Sequence, residues 1–259
     1  MSLSNSFIQS ILERIDSPDV IGIGISGSYA RGQASNYSDV DLDIYVSKLP
    51  EYKYERYTLR YLDEKLVSLK YILLDDERSE LTNPRRAIWA VPGLGGMKIL
   101  VDKDGLLSAL QKAAQDFDWS CLQSAADEFA AEEVMGCAEE VHKILNGLAR
   151  GHESTVLYAI WGLVKSMLEA VAVQRGLMIM SENRYLDLIQ DSVGRDSEWT
   201  RAFRTAWGLD SNASQYQARG VAALTLYRLT VAMFEDLIPE KHREVVNKTL
   251  QLIKETATL

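Results

Sequence analysis

"GIGISGSYARGQASNYSDVDLDIYV", residues 22–46, is the stretch whose reading decides the fold, because two motifs overlap in it. Gly22, Gly24 and Gly27 spell G-x-G-x-x-G, with Asp43 roughly twenty positions on, the pattern of a dinucleotide site. Gly27-Ser28 followed by Asp39-Val40-Asp41 is instead the pattern of a site for a metal-bound nucleoside triphosphate. A dinucleotide fingerprint needs its first glycine at the end of a strand and its last inside a starting helix. Here Ile21, Ile23 and Ile25 make "VIGIGIS" (20–26) itself the strand, so Gly22 and Gly24 lie within it. No earlier strand supplies the turn, and no long βαβ unit follows. The dinucleotide reading is set aside.

The second reading fits the layout. A strand ends at Ser26, the small-residue turn Gly27-Ser28 follows, and "YARGQA" opens a short helix. "SDVDLDIYV" (38–46) then alternates strictly, with Asp39, Asp41 and Asp43 on one face and Val40, Leu42, Ile44 and Val46 on the other. Alternate strand residues point the same way, so D-x-D presents two carboxylates from a rigid backbone. Mg²⁺ is a hard ion that binds through carboxylate and phosphate oxygens. A glycine lets the chain approach phosphates closely, Ser28 can donate a hydrogen bond to a phosphate oxygen, and Arg31 can add a charged contact.

Outward from this stretch, residues 5–15 place Phe7, Ile8, Ile11, Leu12 and Ile15 on one helical face, and "SPD" (17–19) is a turn. "YTLRYL" and "KLVSLKYILL" flank Asp63-Glu64 as a hairpin, and "MKILV" (97–101) is a further strand. After Gly105 the pattern becomes long amphipathic helices, at about 106–116, 120–148, 153–175, 183–191, 197–208, 214–236 and 240–256, with breaks at Gly151, Gly176, Gly194 and Pro239. The expected fold is α+β: a mixed sheet with flanking helices over 1–104, then an all-helical bundle over 105–259. Residues 1–104 carry net charge −3 and the rest −6.

The bulk numbers exclude some functions. A net charge of −9 disfavours a protein that coats nucleic acid, which needs a basic face, and is compatible with a cationic substrate. No apolar run reaches the roughly 18 residues of a membrane span. No basic region followed by an apolar core marks a secretory signal, and two cysteines make no disulfide framework, so the cytoplasm is expected. The oligomeric state is open.

With these residues in view, "GSYARG…SDVD" resembles the signature of the nucleotidyltransferase (DNA polymerase beta-like) superfamily, closely over 20–46 and in element order over 1–104. The resemblance implies that Asp39 and Asp41 hold a divalent metal, Mg²⁺ or Mn²⁺, and that Gly27 and Ser28 hold the phosphates of a nucleoside triphosphate, with ATP the expected donor. A substrate hydroxyl would attack the α-phosphorus and release pyrophosphate. Active members commonly carry a third acid on a neighbouring strand; this chain has Ser68 there. Asp43 shares the face of the metal pair and is the candidate to compensate, while Asp63, Glu64, Asp75 and Asp76 remain open alternatives at the ends of the hairpin's second strand.

The plan of a sheet domain plus a helical domain resembles aminoglycoside nucleotidyltransferases. This makes a small, hydroxyl-bearing, cationic antibiotic the expected acceptor. The alternatives are a protein-modifying nucleotidyltransferase and a nucleotide-binding module weakened at Ser68. Other features read as structure. "EEVH" (139–142) has one Glu-x-x-His where di-metal sites need two. Acidic pairs such as Glu132-Glu133 are a solvated helix face. "GLGG" (93–96) is a plain turn, and the stripe Leu157, Ile160, Trp161, Val164 and Leu168 is bundle core.

Overall fold

The computed structural model describes residues 3–210 and 215–256. The chain divides into two compact units, one of residues up to Trp119 with Met178–Glu182, the other of Ser120–Leu177 and residues from Asn183 on.

The first unit is built on a five-stranded mixed sheet. Its strands are β1 (Val20–Ile25), β2 (Val40–Val46), β3 (Tyr57–Leu62), β4 (Lys65–Leu73) and β5 (Lys98–Asp102), in spatial order β3-β4-β2-β1-β5. β2 and β4 are parallel and the other neighbours antiparallel. One face packs against helix α1 (Asn5–Ile15): Phe7 and Ile11 join Ile23, Ile25, Val40, Leu42, Ile44, Val67 and Leu69 in a single core. That is the apolar half of the alternation in residues 38–46. The β3–β4 turn puts Asp63 and Glu64 at positive φ, as a two-residue hairpin of the primed type requires.

The opposite face explains the two glycines of the rejected fingerprint. A Cβ on Gly22 would stand 2.7 Å from the Leu107 side chain, and one on Gly24 would stand 2.1 Å from the Met97 sulfur. They are bare because other side chains pack directly on the strand.

Four further helices are α2 (Gly27–Ala30), α3 (Leu74–Glu80), α4 (Pro84–Gly95) and α5 (Leu106–Gln115). α3 and α4 lie outside the sequence expectation, and "GLGG" is the end of α4 and its cap rather than a plain turn. Asn83 caps α4, Pro84 stands at its first position and Ala87, Ile88, Val91 and Leu94 form its buried face, but Pro92 and the glycines after it read as a break. α5 belongs to the first unit, which moves the division from 104 to Trp119. The Asp102 carboxylate accepts from the Leu107 and Ser108 backbone N–H at 3.2 and 2.9 Å, fastening the helix to β5. The segment Met178–Glu182 returns to this unit: the Ile179 N–H donates to the Ile88 carbonyl at 2.7 Å.

The second unit holds α6 (Gln123–Gly136), α7 (Ala138–Arg150), α8 (Glu153–Gln174), α9 (Tyr185–Val193), α10 (Glu198–Trp207), α11 (Tyr216–Met233) and α12 (Glu240–Thr256). The expected helix over 120–148 is two helices, divided at Cys137. The expected start of α11 at 214 lies outside the described residues. α8 is the central helix, with Val156, Ile160, Leu163, Val164 and Met167 fully buried. It is long and apolar enough to cross a membrane, with mean hydropathy 1.6, although the sequence reading found no such run. Lys165 and Glu169 interrupt the run in the sequence, and most of that stretch is buried inside the unit. Trp161 departs from the expected stripe: it is 54% exposed and points out of the core. Trp199 is buried instead, its indole N–H donating to the Thr230 hydroxyl at 2.8 Å.

Candidate active site

The polar face of β2 and the turn after β1 build the site. Gly27 has φ +63°, a left-handed conformation that disfavours side chains. A Cβ there would also fall 2.0 Å from Oδ2 of Asp41. The turn and the D-x-D strand therefore touch, and only glycine fits between them. The Ser26 N–H donates to the Asp41 carbonyl at 3.0 Å, fixing the turn to the strand backbone.

Asp39 stands just before β2, and Asp41 and Asp43 lie on it. None of the three makes an ion pair among the described residues. Burial, and then the charges of Asp39 and Asp43, push the Asp41 carboxyl up to about 6, while Arg31 pulls the other way. Asp43 lies deeper; burial raises it, and a hydrogen bond from the Ser26 hydroxyl and the charge of Lys70 oppose the rise. Crowded carboxylates either share a cation or one of them takes up a proton more readily.

Among the described residues no group of three or more Asp, Glu, His or Cys side chains can hold a metal ion. The two hard oxygen donors of Asp39 and Asp41 fit Mg²⁺ or Mn²⁺ as a partial shell that phosphate oxygens would complete.

Ser68 is where the sequence places it. It pairs with Asp41 across the parallel β2–β4 ladder, on the same face, and is buried. Asp63 and Glu64 are on the distant hairpin turn, and Asp75 faces solvent in an ion pair with Arg78. None of these supplies a carboxylate beside Asp41.

A cavity of about 640 Å³ opens beside the turn within the same unit. Gly27, Arg31 and Asp43 line it, together with Lys70, Glu77 and Trp89. Ser28, Asp39 and Asp41 are not part of its lining. Arg31 is held in place by donating to the Met180 carbonyl at 2.9 Å. Burial raises Glu77, with Lys70 opposing and Asp43 adding to the rise, so an acid from α3 faces the acids of β2. Sequence reading missed three of these residues. Lys70 was accessible by period two, since it shares a face with Ser68. Glu77 and Trp89 needed α3 and α4, which the sequence reading did not contain.

Comparison with known proteins agrees with this construction. Residues 8–91 match the family model described as a nucleotidyltransferase domain. Over 109 residues, 40% of this chain and 72% of the relative, the sequence is 29% identical to a protein of Methanocaldococcus jannaschii named a putative protein adenylyltransferase. A crystal structure of a nucleotidyltransferase-like protein from Exiguobacterium sibiricum matches with a TM-score of 0.50 and 16% identity, covering 92% of this chain and 79% of that one, which speaks for the fold. The matched domain and the methanogen relative support placing residues 8–91 in the nucleotidyltransferase superfamily and support a nucleotidyltransferase enzyme.

Proposed function

We propose that the protein transfers AMP from ATP, with Mg²⁺ or Mn²⁺, to a hydroxyl group of a protein. The close approach of Gly27 to Asp41 carries the nucleotidyl-transfer part, because it brings a phosphate-admitting turn against an otherwise unpaired carboxylate. Asp39 and Asp41 would hold the ion, which when bound offsets charge on the triphosphate and on the reacting oxygens. Gly27 and Ser28 receive the phosphates, and Arg31 adds a cation to the wall of the cavity that takes the nucleoside. The acceptor oxygen forms its bond to the α-phosphorus as the bond to the pyrophosphate oxygen breaks, and the hydroxyl proton leaves to a nearby base. Asp43, deep and of raised pKa, is the base on β2, in place of the acid replaced by Ser68.

The acceptor class rests on the methanogen relative, whose name specifies a protein. An aminoglycoside acceptor, the expectation from domain plan, has beyond that plan only the net −6 of residues 105–259 in its favour. Charge on a helical surface selects no substrate. The test is release of pyrophosphate from ATP and Mg²⁺, with transfer of α-phosphate label to protein or to a pool of aminoglycosides. Wild type and an Asp39→Ala/Asp41→Ala variant are run together. Label on protein that the variant loses supports the proposal. Label on aminoglycosides alone overturns the acceptor class. MgATP binding without any transfer overturns catalysis in favour of a binding module.

A further inference from the structure

The strand pairing extends the catalytic face beyond the carboxylates. On one face of the sheet, Leu59 pairs with Ser68, which pairs with Asp41; Tyr57 pairs with Lys70, which pairs with Asp43; Tyr61 pairs with Leu66. Strands are spaced about 4.8 Å apart, so Leu59 lies about 10 Å from Asp41 across Ser68. These β3 residues are large, apolar or aromatic, and open: Tyr57 is 57% exposed, Leu59 52% and Tyr61 76%. β3 is also the edge strand, so a row of backbone hydrogen-bonding groups borders the strip.

We infer that Tyr57, Leu59 and Tyr61 form the docking strip for the acceptor, and that this acceptor is a polypeptide with apolar residues beside its modified hydroxyl. The inference rests on the nucleotidyl-transfer reading above and assigns the acceptor side of that same site. Three observations favour a polypeptide. The strip is continuous with the carboxylates on one face, and its row reaches Asp41 through Ser68, which stands where a third acid is expected. It is not part of the cavity that Gly27 and Asp43 line, and a small ligand needs a concave site that encloses most of its surface. The residues of β3 and β4 on this face, Tyr57, Leu59, Tyr61, Leu66, Ser68 and Lys70, include no carboxylate that would hold a polycationic antibiotic on the strip.

The test uses the full chain with Mg²⁺ and α-labelled ATP on a peptide library in which one Ser, Thr or Tyr is flanked by random residues. Wild type is compared with Tyr57→Ser/Leu59→Ser/Tyr61→Ser and with Asp39→Ala/Asp41→Ala. The expected result is that wild type prefers apolar flanks and that the strip variant loses about 30-fold or more in labelling, with MgATP affinity unchanged. Equal labelling by the strip variant, or no flank preference, overturns the inference and leaves nucleotidyl transfer standing. Label on small hydroxyl compounds but never on peptides does the same. Wild type that dimerises in sedimentation while the strip variant is monomeric gives the strip to a second copy and also overturns it. Labelling that survives the double aspartate substitution overturns the reading beneath.

Discussion

The two ends of one sheet face are treated in opposite ways. At the β1–β5 end, glycines remove side chains from the strand so that Leu107 and Met97 can pack onto the backbone. At the β4–β3 end, the strand keeps large side chains and leaves them open. The carboxylates of β2 lie between. One end is closed by packing, where substitution costs stability, and the other is open, where substitution should cost only recognition. The difference separates residues that hold the scaffold from residues that meet a partner.

The largest expected effect lies in the middle. Asp39→Ala/Asp41→Ala should lower nucleotidyl transfer by about 10³-fold or more, as loss of charge-stabilising groups in active sites does. Pyrophosphate release within tenfold of wild type would remove the pair from the site. Gly27→Ala should follow. The left-handed φ costs about 1–2 kcal/mol with a side chain, and the Cβ would displace the Asp41 carboxylate, so turnover should fall more than stability accounts for. Urea melts run beside kinetics would separate the two.

At the closed end, Gly22→Val should destabilise by about 1–3 kcal/mol by overpacking against Leu107 and the Val101 carbonyl. At the open end, Leu59→Ser should stay within about 0.5 kcal/mol. Equal losses at the two ends, by chemical denaturation, would break the comparison.

The remaining effect is a pH signature. Asp41 is raised from its ordinary 3.8 to about 6, so the folded protein holds a proton that the unfolded chain releases between those values. The metal-free fold therefore loses stability as pH rises through that window. Asp41→Asn should recover about 1 kcal/mol at pH 7.5, a figure reduced for partial solvation. Binding of MgATP should move the other way and weaken as pH falls below about 6, because ion and proton compete for the carboxylate. An Asn variant less stable than wild type at pH 7.5 would show that the Asp41 anion is not disfavoured by its burial and its acidic neighbours.

How much of this was legible varies by residue. The strict alternation of Asp39, Asp41 and Asp43 against Val40, Leu42 and Ile44 gave both the strand and its two faces, because the side-chain period of a strand is a local property. Ser68 was singled out through the resemblance, and the β2–β4 ladder pairs it with Asp41. Trp161 was misread because helical spacing says that residues share a face, not which face is buried. α3 is too short to show a period, and in α4 Pro92 with the glycines that follow reads as a break although Ala87, Ile88, Val91 and Leu94 share a face, so Glu77 and Trp89 stayed out of the site.

The sequence by itself determined the turn at Gly27, the acidic face of β2 and the change from sheet to helices, since each rests on residues near in the chain. Only the tertiary structure decided that Gly22 and Gly24 serve packing, that α5 belongs with the sheet, and that Tyr57, Leu59 and Tyr61 share a face with the carboxylates. Those facts depend on strand order and register, and pairing between distant segments is set by the fold as a whole.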